Sequence, residues 1–305
     1  MGSYSRESRL QFLQPIRSLN YIAGSIWRDP SNHDQRFRRL WIAVGWQAWK
    51  RLIKRPKVVP LFNGFRFVAY PDCGVSSSVF YSRIPNFRAL SFLREHVRNG
   101  TLVDVGANVG LVSLCLADKI QHALLFEPNP LAAARARENL VMNKLNFEVH
   151  ELALSDQAGN IAFENAGGVD TCNRTVVGFA TDIPTITVPR MTFDQFFAES
   201  CGAVPSVTAV KIDVEGHENS VLRGMLHFLQ KQRPRLVMFE YLRRTNLEET
   251  IGIFAQAGYR IIEITAQGPA WATAGVAPLQ DLFACPEELS AEFVPETATK
   301  HISSV

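Results

Sequence analysis

The stretch TLVDVGANVG, residues 101–110, restricts the fold more than any other part of the chain. A short apolar run there leads through an acidic residue and a glycine-bearing turn into a second apolar run. That order of residue types makes a strand, a tight turn and a helix start. Such a turn presents backbone N–H groups and the positive end of a helix to a ligand, and its glycines allow close approach.

The spacing decides which ligand fits. A dinucleotide fingerprint needs G-x-G-x-x-G, and here Asn108 and Leu111 stand where the second and third glycines belong. What remains is D-x-G-x-N-x-G, from Asp104, Gly106, Asn108 and Gly110, followed by a second apolar run that ends in Glu127. Glu127 lies 21 positions after Gly106, an offset that suits a carboxylate on ribose hydroxyls. The loop has neither the Lys nor the Ser/Thr of a polyphosphate site. It therefore suits a nucleoside with an amino-acid tail, of which S-adenosylmethionine is the example.

A second strand and turn with the same design follow at AVKIDVEGHENSVLRGM, residues 209–225. DVGANVG, FEPNP and KIDVEGHE, in that order, resemble the FkbM family of S-adenosylmethionine-dependent methyltransferases. The resemblance runs from about Asn63 to Cys285, and nothing in the cofactor half departs from the family pattern. It implies a Rossmann-like, seven-stranded class I methyltransferase sheet with helices on both faces. The activity it implies is O-methylation of a hydroxyl on a sugar, glycolipid or secondary metabolite. N- or C-methylation and a non-catalytic cofactor-binding role are the alternatives.

Carried onto this chain, the family pattern puts Asp104, Gly106, Ala107, Asn108 and Gly110 around the methionine part of the cofactor. It puts Glu127 on the ribose, and Pro128 with Asn129 at the adenine edge. Ser155, or in competition Asp156, is expected at the adenine amino group. Transfer to an alcohol needs a proton acceptor, and Asp213, Glu215, His217, Glu218 and Glu240 are the candidates near strand ends. A metal-free base, His217 first, is expected because imidazole accepts a proton near neutral pH. The alternative is a Mg²⁺ ion shared by Asp213 and Glu240. Glu218 also suits a helix N-terminal cap.

Alternating patterns place strands at 101–105, 123–127, 147–152, 207–213, 235–241, 260–265 and 280–284, the last two as an antiparallel edge. Helices are expected at 110–120, 130–143, 192–199, 218–231 and 247–257, with a hairpin inserted within 159–188. Before them, a hairpin turning at Asn63 and Gly64 leads through a loop to a helix that stops at Gly100.

Charge divides the chain further. Residues 1–58 carry twelve Lys/Arg against three Asp/Glu, a local +9, while the other 247 residues carry 20 against 26. The same segment holds Trp27, Trp41, Trp46 and Trp49. A helix over 34–55 would set Trp41, Ile42, Trp46, Trp49, Leu52 and Ile53 on one face and Lys50, Arg51 and Lys54 on the other. That face is expected either to pack on the catalytic domain or to lie on an anionic membrane, as a peripheral or lipid-linked substrate contact. Nucleic acid is not expected, because the positive stripe stops after Lys57.

The chain thus divides into a basic Trp-rich extension (1–58), a methyltransferase domain (59–290) and a loose tail (291–305). Five scattered cysteines without a C-x-x-C pair, and an N-terminus without an apolar signal core, point to the cytoplasm.

Overall fold

The computed structural model describes residues 20–164, 184–200, 206–273, 276 and 280–294. The middle of the predicted insertion, Cys172, Cys201, the first nineteen residues and most of the C-terminal tail lie outside the described residues.

Most of the described chain winds around one mixed sheet. Its parallel centre is β3 (Thr101–Val105), β4 (His122–Phe126), β5 (Phe147–His150), β9 (Val207–Ile212) and β10 (Leu236–Tyr241). β3 and β4 are buried at every residue, as strands covered on both faces must be. With β11 (Tyr259–Thr265), β12 (Gly268–Trp271) and β13 (Gln280–Pro286), the order is β12-β11-β13-β10-β9-β3-β4-β5. Crossover helices α4 (Leu111–Leu116), α5 (Pro130–Met142) and α9 (Leu247–Gln256) join the parallel strands. This is the class I methyltransferase fold, with one short strand added at its edge.

Several local expectations change. Of the two strands expected as an antiparallel edge only β13 opposes the parallel set: it inserts between β10 and β11 and runs against both, so β11 keeps the parallel direction, and the added β12 runs antiparallel to β11. The strand expected over 147–152 stops at His150, and β6 (Ala153–Leu154) turns out of the sheet to pair with β8 (Thr185–Met191). β7 (Gly159–Glu164) completes this second sheet against β8, so the two arms of the expected hairpin are present.

The helix expected over 192–199 is α6 (Phe193–Glu199), whereas the one expected over 218–231 is two helices, α7 (Glu218–Arg223) and α8 (Leu226–Gln232). The break falls at Gly224, where a Cβ would stand 1.9 Å from the Ser155 carbonyl oxygen. Backbone passes backbone there, and only glycine leaves room.

The N-terminal region differs most. α1 (Arg36–Leu52) follows helical residues 20–28 and precedes a hairpin of β1 (Lys57–Pro60) and β2 (Arg66–Ala69). Next comes α2 (Gly74–Tyr81), in a stretch expected to be a loop, and then α3 (Phe87–His96). Three serines and two valines give α2 little helical propensity, so packing is what forms it. Trp46 of α1 stacks on Phe80 at 4.1 Å, and its Nε1–H donates to Ser77 Oγ at 3.1 Å.

Trp46 and Ala43 face inward, while Trp41 and Leu52 are 77% and 81% exposed. The expected shared face of Trp41, Trp46 and Leu52 does not exist. Trp46 joins the core that also holds Phe67, Leu93 and Leu114.

Candidate active site at the strand ends

The glycine turn after β3 is set by contacts that no local pattern encodes. Gly106 has φ +71°, and a Cβ there would lie 1.9 Å from the Asp213 carbonyl oxygen, so the turns after β3 and β9 abut. Gly110, at φ +76°, caps α4. Asn108 also takes a left-handed conformation, φ 49°, and its N–H donates to Glu127 Oε2 at 2.8 Å.

Glu127 follows β4, and its other oxygen accepts from Asn129 N–H at 2.9 Å. Burial pushes its pKa up to about 7, with the Asn129 and Asn108 amides acting in opposition. Asn129 in turn caps α5 by accepting from the Leu131 and Ala132 amides.

Beneath this turn lies a residue that the sequence reading missed. Lys211, within apolar β9, is buried and donates to Gly106 O at 2.7 Å and to Val105 O at 3.2 Å. Its Nζ stands 3.3 Å from Asp104 Oδ1 and 3.6 Å from Asp213 Oδ2. The first contact is an ion pair without hydrogen-bond alignment, since Asp104 Oδ1 has no hydrogen-bond partner among the described residues. Burial opposes the ammonium, yet Asp213 and Asp104 outweigh it and raise its pKa. The available signal was a lysine interrupting an apolar run two residues before an expected strand end.

Beside this turn three carboxylates converge: one oxygen from each of Asp213, Glu215 and Glu240 lies within 4.8 Å of the others. Burial first, and then Asp213, Glu215, Glu218 and Asp281, push Glu240 up to about 8. Its Oε2 is buried with no hydrogen-bond partner among the described residues. Asp281 sits opposite Glu240 in the β10–β13 register, and burial raises it to about 6 even though Asn86 Nδ2 donates to it at 2.5 Å. Arg244 ties down Glu215 through its side chain and its carbonyl oxygen.

A cavity of about 370 Å³ takes in both groups. Gly106, Ala107, Asn108, Glu127, Pro128 and Asn129 line it, as do Asp213, Glu215, His217, Glu240 and, beneath the turn, Lys211. Five predicted residues do not line it. Asp104 is fully buried against Ser113 and Lys211, and Gly110 sits against α5. Ser155 is buried with its hydroxyl 2.9 Å from His217 Nε2, and Asp156 pairs with Arg223. Glu218 accepts from the Val214 and Gly216 amides, so its carboxylate holds the turn after β9. His217 is mostly buried, and that burial lowers its pKa.

An insertion after the third core strand is expected over the acceptor side of such a sheet, and it supplies part of the roof, but the sequence reading missed the rest. α2 contributes Gly74, Val75 and Ser78, the start of α3 contributes Asn86, and β7 contributes Phe163. The first comes from the stretch expected to be a loop, the second from the start of the expected helix and the third from the insertion.

A cavity at the carboxyl ends of parallel strands is where an open α/β sheet binds its ligand, and the sheet around it is that of a class I methyltransferase. The methyltransferase FkbM domain matches residues 104–261, and the chain belongs to that family. It is 33% identical over 138 residues to the hexuronic acid methyltransferase AglP of Haloferax volcanii, covering 45% of this chain and 55% of that protein. It is 29% identical over 150 residues to the 2-O-methyltransferase NoeI of Sinorhizobium fredii, covering 43% and 60%. The match thus spans little more than half the length of these curated relatives. A tRNA (uracil-54, C5)-methyltransferase from Pyrococcus abyssi, solved with S-adenosyl-L-homocysteine, is 16% identical, with a TM-score of 0.41 over 76% of this chain and 44% of that one. A score that low bears no weight on function.

Proposed function

We propose that the chain is an S-adenosylmethionine-dependent O-methyltransferase whose acceptor is a hydroxyl on a sugar or a related glycan. The observation that carries this reading is one cavity at the strand ends lined by Glu127 and the glycine turn together with Asp213 and Glu240. The names of the two curated relatives, which act on a hexuronic acid and at a 2-O position, support the acceptor class.

The cofactor, when bound, supplies a sulfonium-activated methyl group that passes to the acceptor oxygen as its bond to sulfur breaks. Glu127 would accept from the ribose hydroxyls, and the backbone of Gly106, Ala107 and Asn108 would lie beside the methionine part. Pro128 and Asn129 would border the adenine.

The protein's remaining task is to remove the acceptor proton and exclude water. Glu240 suits the first, because burial and the neighbouring carboxylates raise its pKa and so its affinity for the acceptor proton, and one of its oxygens has no competing donor among the described residues. His217 is the second candidate. Its lowered pKa keeps it neutral, although Ser155 already occupies its Nε2. Asp213, Glu215 and Glu240 are also hard oxygen donors close enough to hold Mg²⁺, which would lower the pKa of the acceptor hydroxyl.

Contact with a lipid-linked acceptor would run through α1. The described cysteines Cys73, Cys115 and Cys285 are free and buried, which supports a reducing, cytoplasmic site of action. Among the described residues no helix is long and apolar enough to cross a membrane.

Calorimetric titration with S-adenosylmethionine and S-adenosylhomocysteine, with NAD as control and EDTA in a parallel series, tests the cofactor. Binding of the first two alone, weakened at least about tenfold by Glu127→Ala, is the expected result. No binding by the intact protein would remove the methyltransferase reading. In a sugar-hydroxyl acceptor screen, Glu240→Gln should abolish turnover and leave cofactor binding intact. Full turnover of that variant would transfer the base role to His217.

A further inference from the structure

We propose that the outward face of α1 seats the protein on an anionic lipid bilayer. The face differs from the one expected from the sequence. Phe37, Trp41, Val44, Ala48 and Leu52 recur at steps of four, three, four and four residues, which keeps them on one side of the helix. Phe37 and Trp41 are 73% and 77% exposed, Val44 50% and Leu52 81%. At 1.5 Å per residue the stripe is about 22 Å long. Trp27 extends it sideways, its ring edge-on to Phe37 at 5.7 Å.

Charge selects the occupant. Residues 36–55 contain seven Lys/Arg and no Asp or Glu. Arg39 and Lys50 reach inward to Val79 O and Ser77 Oγ. Arg38, Arg51, Lys54 and Arg55 are exposed near the two ends of the stripe.

A helix with Trp, Phe and Leu on its outer side and cations flanking them lies in the plane of an interface. Its rings enter the acyl boundary and its cations meet lipid phosphates. The buried side of α1 fixes the orientation, since Trp46 docks on α2 and α2 lines the cavity. Seating α1 on a bilayer therefore holds the cavity roof close to that surface. The benefit for a lipid-linked acceptor rests on the proposed function, but the docking itself does not.

The test is co-sedimentation of the full chain with phosphatidylcholine vesicles, with and without about 30% phosphatidylglycerol. Binding should need the anionic lipid and fall as salt rises from about 0.1 to 0.5 M. Trp41→Ser with Leu52→Ser should weaken it at least about tenfold, while Val58→Ser, exposed and off the stripe, should not. Both stripe positions are solvent-facing, so the double variant keeps its fold, which circular dichroism and cofactor calorimetry check separately. Failure of the intact chain to bind anionic vesicles, or undiminished binding by the double variant, would overturn the proposal. Self-association without vesicle binding, lost in the double variant, would assign the face to a second copy. Cofactor binding in the same samples reports on the methyltransferase reading alone, so the two can fail independently.

Discussion

At the scale of single residues, the site depends on atoms held in costly positions. Gly106 has a left-handed φ and a Cβ position that overlaps a carbonyl oxygen, so Gly106→Ala must push apart the turns after β3 and β9. We expect a loss of about 2–4 kcal/mol in thermal or denaturant unfolding, together with loss of cofactor binding. Lys211→Met would leave Asp104 as a buried carboxylate without its cation, a change that costs about 3–5 kcal/mol where one partner of a buried pair is removed. Denaturant unfolding reads that cost, and a variant as stable as the parent would show that the pair does not hold the turn. The glycines and Glu127 were legible because their spacing is local. Lys211 was overlooked because a strand lysine has no local pattern that aims it beneath a turn. Ser155 was expected at the cofactor, yet its hydroxyl meets His217, 62 residues away in sequence.

Elements repeat the lesson with larger energies. The period of α1 establishes a helix, but apolar residues surround much of it, so periodicity alone could not choose the buried side. Contact with Phe80 and Ser77 chose Trp46. Trp46→Ala should therefore cost about 3–5 kcal/mol, while Trp41→Ala should change stability by no more than about 0.5 kcal/mol, both read by denaturant unfolding. Equal effects would contradict the orientation of α1. Gly224 is the corresponding case between α7 and α8. Periodicity continued through it, and the break comes from Ser155 O, which lies where a side chain would be. β5 stopped short for a similar reason, since Ala153 and Leu154 found a partner in β8, more than thirty residues further along the chain.

For the whole molecule, the main consequence of the fold is an acidic field gathered at the carboxyl edge of the sheet. Glu240 and Glu127 are raised to about 8 and about 7, so the folded protein keeps protons that the unfolded chain has already released. A raised carboxyl stabilises the fold below its unfolded pKa and loses that contribution as pH rises through its folded value. The buried histidines act in the other direction, but their contribution is complete above about pH 6.5. Stability of the cofactor-free protein should therefore fall between about pH 6.5 and 8.5, and Glu240→Gln should flatten the upper part of that fall in a series of urea titrations. Turnover should rise over the same range if Glu240 accepts the acceptor proton. We propose that residues 59–290 form the catalytic unit and that the basic segment before them covers its flank, with Trp46 joining the two. The sequence by itself determined the strand–turn–helix units, the positions of the glycines and Glu127, and membership of the family, because each is written in residues close together along the chain. Tertiary structure decided which face of α1 is buried, that β13 enters between β10 and β11, that α2 roofs the cavity, and that Asp213, Glu215 and Glu218 around the turn after β9 act together with Glu240 of β10 and Asp281 of β13. Those outcomes depend on which distant surfaces meet and on how much water they exclude, and no window of neighbouring residues contains either quantity.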